Sequence, residues 1–158
     1  MTTSLKRAGT VLLSVLLLCT LALSAGAASK LRVGVKFWKT GSDKESMANS
    51  GIDTSREASL TRQSNGTYTL TLPIQQVSKM GVTGYLTGLT IGDVTYDGTL
   101  TGDFNKATAV LTIKNLPASV LTGSDVNKSV LVTCNIQMDL QVLGEINTSA
   151  RMCIWSQK

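Results

Sequence analysis

Short apolar runs that alternate with polar or small residues restrict this chain more than any other feature. Leu31-Arg32-Val33-Gly34-Val35-Lys36-Phe37-Trp38 is the clearest of them. A period of two is the mark of a strand with one buried face. Two further runs, 58–63 and 67–72, flank Ser64-Asn65-Gly66, where Asn-Gly can supply the positive φ of a hairpin. Tyr68, Leu70 and Leu72 then share one face, and Pro73 ends the run. Residues 81–91 form another strand. Residues 94–96 and 99–100 flank Asp97-Gly98, which reads as a second tight turn. Strands are also expected over 106–113, 129–142 and 149–155, with turns near 115–117 and 144–147. Residues 75–80 read as a looser connection containing at most one helical turn. Long helical periodicity is absent. The pattern predicts an all-β sandwich of about seven to eight strands.

The N-terminus is organised differently. Lys6 and Arg7 precede an unbroken apolar stretch, 11–23, and then Ser24-Ala25-Gly26-Ala27-Ala28. A basic start, an apolar middle and a small-residue end make a secretory signal peptide. The apolar stretch is shorter than the roughly 18 residues of a spanning helix. Cleavage is expected after Ala27, with Ala28 the neighbouring choice, leaving 28–158 as one domain. Leu18-Cys19-Thr20 is a poor lipidation site, because leucine precedes the cysteine and apolar sequence follows it. Loss of Lys6 and Arg7 lowers the formal charge from +5 to +3. The remaining basic residues are scattered, which gives no electrostatic footprint for nucleic acid. Export also allows Cys134 and Cys153 to pair; two free buried thiols are the other possibility, since sequence does not fix the geometry.

The chain contains no histidine. That removes the commonest general base and the commonest metal ligand, together with any Ser-His-Asp triad. Cys134 and Cys153 have no C-x-x-C neighbour, which argues against zinc. Asp43, Glu45, Asp53 and Glu57 gather between the first two strands, but their spacing fits a solvated loop better than a calcium loop. Binding is therefore a better class than catalysis. The soft donors left after export are the two cysteines and the methionines Met47, Met80, Met138 and Met152, with tyrosine a harder option. A thioether is a neutral axial ligand for haem iron. Core packing is the ordinary role of methionine, and it suits Met138 and Met152 on their strands. It suits Met47 less, because Lys44-Glu45-Ser46-Met47-Ala48-Asn49-Ser50-Gly51 is a polar loop.

Ser46-Met47-Ala48-Asn49, then 58–60, then Asn65-Gly66-Thr67-Tyr68-Thr69-Leu70-Thr71-Leu72, resembles the opening of the NEAT-type haem-binding domains. Met80-Gly81-Val82-Thr83-Gly84-Tyr85-Leu86 resembles a segment of the clostridial branch, which is similar to the streptococcal surface haem-binding protein Shp. The resemblance covers about 31–155. It implies an immunoglobulin-like β-sandwich that holds haem between the loop after the first strand and the last hairpin. The usual iron ligand of the family is the first tyrosine of a Tyr-x-x-x-Tyr pair in that hairpin. Here no tyrosine follows Tyr96. In the Shp-like branch two methionines serve instead. By this resemblance Met47 is the first ligand and Met138 the second, with Met152 the runner-up. The Pro-Val-like pair that usually precedes the late methionine is replaced by Ile136-Gln137. Ser46, Tyr85 and Ile136 are expected beside the ligand, with Leu86 and Ile154 as further walls and Lys44 near the propionates. The implied role is an exported, extracellular protein that captures or relays haem, with other haem-relay proteins or a surface haem transporter as partners. The alternative is an immunoglobulin-like adhesion or carbohydrate-binding module without haem.

Overall fold

The structure, a computed structural model, describes residues 28–79, 81–139 and 144–158. The segment 1–27 expected to be a signal peptide, Met80 and the end of the run expected over 129–142 lie outside the described residues. The described residues form nine strands: β1 (Lys30–Trp38), β2 (Ala58–Arg62), β3 (Tyr68–Pro73), β4 (Val77–Lys79), β5 (Val82–Ile91), β6 (Val94–Thr101), β7 (Val110–Leu116), β8 (Val130–Met138) and β9 (Glu145–Ser156). They run in the order β4-β5-β6-β7-β3-β2-β1-β9-β8, and β5 also pairs with β8. Eight strands thus close on themselves, and β4 is added beside the start of β5. Every pairing is antiparallel. Closure removes most of the exposed edges that would otherwise invite pairing with another chain; β4 and the start of β9 each keep one.

Alternation explains the core. Val33, Phe37, Leu60, Leu70, Leu72, Leu89, Leu111, Ile113, Met152 and Ile154 are buried together inside the closed sheet. Each such side chain contributes about 1.5–3 kcal/mol relative to exposure. Tyr68, Leu70 and Leu72 do share the inner face, and β3 ends at Pro73, as expected. Among the described residues no helix is long and apolar enough to cross a membrane.

Four local expectations are corrected. Asp97-Gly98 is not a turn: β6 runs straight through it, and Gly98 pairs with Ile113. Glycine is needed there for space, since a Cβ at Gly98 would lie 2.3 Å from Leu111 Cδ1. The chain reverses instead at Gly92, which has φ +58°. The strand expected over 106–113 begins later, at Val110. Asp103 caps a 3-10 turn at Phe104–Lys106, and Ala107 is left-handed, so the chain cannot be extended there. The connection 75–80 holds a strand, β4, rather than a helical turn. Finally, the returning strand is longer than 149–155 and starts at Glu145, just after Gly144 at φ +53°.

Cys134 and Cys153 are both buried and free. The register shows why. Cys134 faces Thr148, five residues along β9 from Cys153. At about 3.3 Å per residue the two Cα atoms are roughly 16 Å apart, well beyond disulfide reach. They also have opposite parity on the β8–β9 ladder, so they point to opposite faces. Burial pushes the Cys134 thiol up from 9.0 to about 12. A raised value favours the folded state below the ordinary thiol range and is lost as pH rises through it. A thiol reagent at pH 8 is therefore expected to find neither cysteine in the folded domain and both after denaturation. Urea unfolding is expected to show a loss of stability between about pH 9 and 12 that shrinks in Cys134→Val.

Candidate functional site

β1 pairs with β9 as far as Trp38↔Arg151, but with β2 only as far as Val33↔Ala58. Between these limits one edge of β1 is released. Phe37 uses that edge to hold the next segment. Its N–H donates to Asn49 Oδ1 at 2.8 Å, and its carbonyl accepts from Asn49 Nδ2 at 2.7 Å. The Ser46 N–H donates to the same carbonyl at 2.9 Å. An asparagine side chain thus takes the place of a β-ladder rung.

The clamped segment is a 3-10 turn, Met47–Gly51, with Ser46 as its cap. Ser46 is 93% buried, and its Oγ accepts from the Ala48 N–H at 3.3 Å. Capping satisfies a donor that a short turn otherwise leaves open. Ala48 packs on the core, while Met47 points outward and is 55% exposed. The turn is rigid underneath and apolar on top.

Met47 stands over a cavity of about 520 Å³, lined by Lys39, Thr40, Gly41, Ser42, Ser46, Met47, Thr148 and Ser149. That volume lies within the usual range for a small-molecule site. The cavity exists because β1 stops at Trp38 while β9 continues. On this side of β9, Glu145–Ser149 have no neighbouring strand, and all five are exposed. By the alternation of the β1–β9 ladder, the Ser149 N–H and C=O face the space where β1 would have continued. Hydroxyls, this open edge and Lys39 supply polar groups to the cavity, and Met47 adds an apolar side chain to its lining. Among the described residues no group of three or more His, Cys, Asp or Glu side chains could hold a metal ion. Sulfur from methionine is therefore the soft donor available here.

The other expected residues fall in different places. Met138 ends β8 and pairs with Gly84 of β5. Its side chain folds over that glycine, so that a Cβ added at Gly84 would lie 2.7 Å from Met138 Sδ. Ile136 faces Ile146 across the ribbon. By parity Ile136, Met138, Ile146 and Thr148 share one face, the extension of the core face of β8 and β9. Met138 thus lies on the same surface as the cavity, but roughly 13 Å along the ribbon from Thr148. In this structure its sulfur leans toward β5 rather than toward Met47. Tyr85 pairs with Gln137, on the face away from Met138, and its ring meets Phe104 at 5.0 Å. Met152 is fully buried and pairs with Phe37 on one side and Val130 on the other. Ile154 is fully buried in the core and Leu86 nearly so. Lys44 is exposed, and Lys39 is the lysine that lines the cavity.

Three site residues carried no expectation from the sequence. Asn49 was legible only as part of a motif, and its role in replacing a ladder rung depends on where β2 lets go of β1. Thr148 and Ser149 carry no motif at all. A second cleft, about 370 Å³, runs along the released edge between Val33–Lys36 and Thr54–Ala58. It does not include Met47. Arg56 braces its far wall, bonding to Asp53 at 2.6 Å and to the Ala109 carbonyl at 2.6 Å. The Asp53 carboxyl is held below its ordinary value by bonds from Ser55 and then from Arg56.

No protein-family model matches the chain, and no curated protein matches it. Solved structures do. The fifth NEAT domain of IsdX2, a B. anthracis hemophore, in complex with heme superposes with a TM-score of 0.53 at 10% identity, covering 84% of this chain and 99% of that one. A point mutant of the same domain in complex with heme gives 0.53 and 10%, covering 84% and 98%. The chain has the fold of a NEAT domain. At this identity the likeness speaks for backbone architecture alone. A NEAT fold accounts for the closed antiparallel sheet, and it spans nearly all of the described residues.

The Asn49 clamp yields a direct test. Asn49→Ala strips one bond from the Phe37 N–H and one from its carbonyl. It is expected to lower unfolding stability by about 1–3 kcal/mol in urea titration. Asn49→Asp keeps the acceptor for the N–H but cannot donate to the carbonyl, and is expected to fall between the two.

Proposed function

We propose that this chain is an exported haem-binding module that captures or relays haem and holds the iron with methionine sulfur. The observation that carries the reading is Met47: a 55% exposed thioether on a clamped turn over a 520 Å³ cavity, in a chain with a NEAT fold and no histidine. The solved NEAT structures that it resembles are heme complexes, which supports haem as the cargo. The residues fit such a group. A flat apolar ring could lie on the Ile136–Ile146 face of the ribbon beneath Met47, with Ser46, Lys39 and the cavity hydroxyls nearby.

Met138 is the second ligand in this reading. What supports it over Met152 is position. Met138 is the last residue of β8, whereas Met152 is locked between Phe37 and Val130 in the core. Met138 would first have to lift its sulfur off Gly84, which an unbranched side chain with three rotatable bonds can do. Ser46 both caps the turn and lines the cavity, while Tyr85, on the face away from Met138, packs against Phe104. Two neutral thioethers would fill the axial positions of bound haem iron, which disfavours oxygen activation and suits carriage. Part of the same reading is that the closed sheet is an immunoglobulin-like sandwich, that 1–27 is removed on export, and that partners are other relay proteins or a transporter at the cell surface.

The alternative, an adhesion or sugar-binding module, has less support. Sugar platforms need exposed aromatic faces, and every Trp, Tyr and Phe here is half-buried or buried. Trp155 covers Gly34, and Tyr85 meets Phe104.

Titration of residues 28–158 with haem is expected to give a saturable Soret shift at one haem per chain. Absence of a shift rejects the function. Met47→Ala and Met138→Ala are each expected to alter the bound spectrum and weaken retention by about tenfold or more. A double variant with the wild-type spectrum would keep the function and reject both ligands.

A further inference from the structure

The roof of the cavity, 39–43, is held by one side chain of β9. Arg151 lies on the last β1–β9 rung, opposite Trp38. Its Nε donates to the Lys39 carbonyl at 3.1 Å. Its Nη2 donates to the Ser42 carbonyl at 2.9 Å and to Asp43 Oδ1 at 2.9 Å. One planar guanidinium therefore spans the loop from its first residue to its fifth, a task that suits a rigid fork of donors. The other ties lie at the base of the loop, where Trp38 and Glu45 form an isolated antiparallel bridge and Lys36 pairs with Glu45. The backbone bonds at its ends are Lys39 N–H to Lys44 C=O and Ser46 N–H to Phe37 C=O, both 2.9 Å. A Cβ at Gly41 would meet nothing within 4 Å. Lys39, Thr40, Gly41 and Ser42 all line the cavity, so whatever fixes this loop fixes the mouth.

We propose that Arg151 is the positioning residue of the cavity roof: it latches 39–43 against β9, and its release sets how fast a bound molecule leaves. The latch is inferred from the geometry alone; the identity of the molecule rests on the haem reading above. The relative weights follow from exposure. The Asp43 side chain is 72% exposed, while that of Arg151 is 22% exposed. The ion pair is screened by solvent and contributes little. The two carbonyl bonds from a half-buried guanidinium carry the latch. Release should therefore respond weakly to salt and to loss of Asp43, and strongly to loss of the fork.

Hydrogen exchange on mature ligand-free protein separates the latch from the cargo. Arg151→Gln is expected to speed exchange of the Lys39 and Ser46 amides by about tenfold while core amides such as Leu70 hold their rates. Asp43→Asn is expected to change them less than about threefold. Arg151→Lys keeps the charge without the fork and should resemble Arg151→Gln. Unchanged Lys39 and Ser46 exchange in Arg151→Gln overturns the latch. The second arm loads haem and follows its loss to excess apomyoglobin. Faster loss by about tenfold from Arg151→Gln with an unaltered visible spectrum is the expected result. Equal loss rates alongside faster exchange would overturn the control of release. If the wild-type chain takes up no haem, the haem reading fails, and the exchange arm still decides the latch.

Discussion

The early release of β1 by β2 is the constraint on which the site depends. A closed antiparallel sheet satisfies its backbone groups by pairing on both sides. β1 gives up that arrangement after Val33, where its ladder with β2 ends. The cost of two open polar groups at Phe37 is met by Asn49, whose amide offers an acceptor and a donor in the orientation of a strand. The chain can then depart from the sheet at Trp38, turn through Met47–Gly51 and return at Ala58 without stranding those groups. Both the 3-10 turn and the room beside β9 follow from this one departure.

The same event separates stiffness from access. Underneath, Ala48 is on the core and Asn49 on the strand, so Met47 has a fixed base. Outward, nothing continues the sheet beside Glu145–Ser149, so the ribbon is open on that side. A binding surface built this way can be exposed without being soft, because the entropy of ordering the loop is spent at folding rather than at binding. Three of the four salt bridges among the described residues have at least one exposed partner and cannot substitute for this arrangement; the best buried, Asp53–Arg56, braces the far wall of the other cleft rather than the turn.

Strand content was legible because alternation is a local signal. β1, β2, β3 and β5 were read nearly to their ends, since Leu70 and Leu72 or Val33 and Phe37 must face one way whatever the topology. The failures came where a residue type serves two purposes. Asp97-Gly98 has turn chemistry, yet Gly98 is small because Leu111 of the neighbouring strand occupies its Cβ position. Only the pairing of β6 with β7 reveals that. β4 was missed because three residues are too few to show a period. Sequence leaves the pairing of the cysteines open because parity and register, not spacing in the chain, decide whether two thiols can meet.

The methionines show the same limit more sharply. Met138 and Met152 both have inward parity on β8 and β9, so alternation alone cannot separate them. What separates them is how far along the ribbon the closed core extends. At Met152 the sheet is flanked on both sides, by β1 and β8, and the side chain is sealed. At Met138 the described neighbours are Gly84 and Gly144, and the thioether lies across a residue without a side chain. Gly84 therefore matters to the site although it carries no donor. With any larger residue there, Met138 Sδ would already be displaced from β5, since the nearest approach of an added Cβ is 2.7 Å. The resting position of a flexible side chain is thus set by an absence on the adjacent strand, and such an absence becomes readable only once β5 is known to close the sheet against β8.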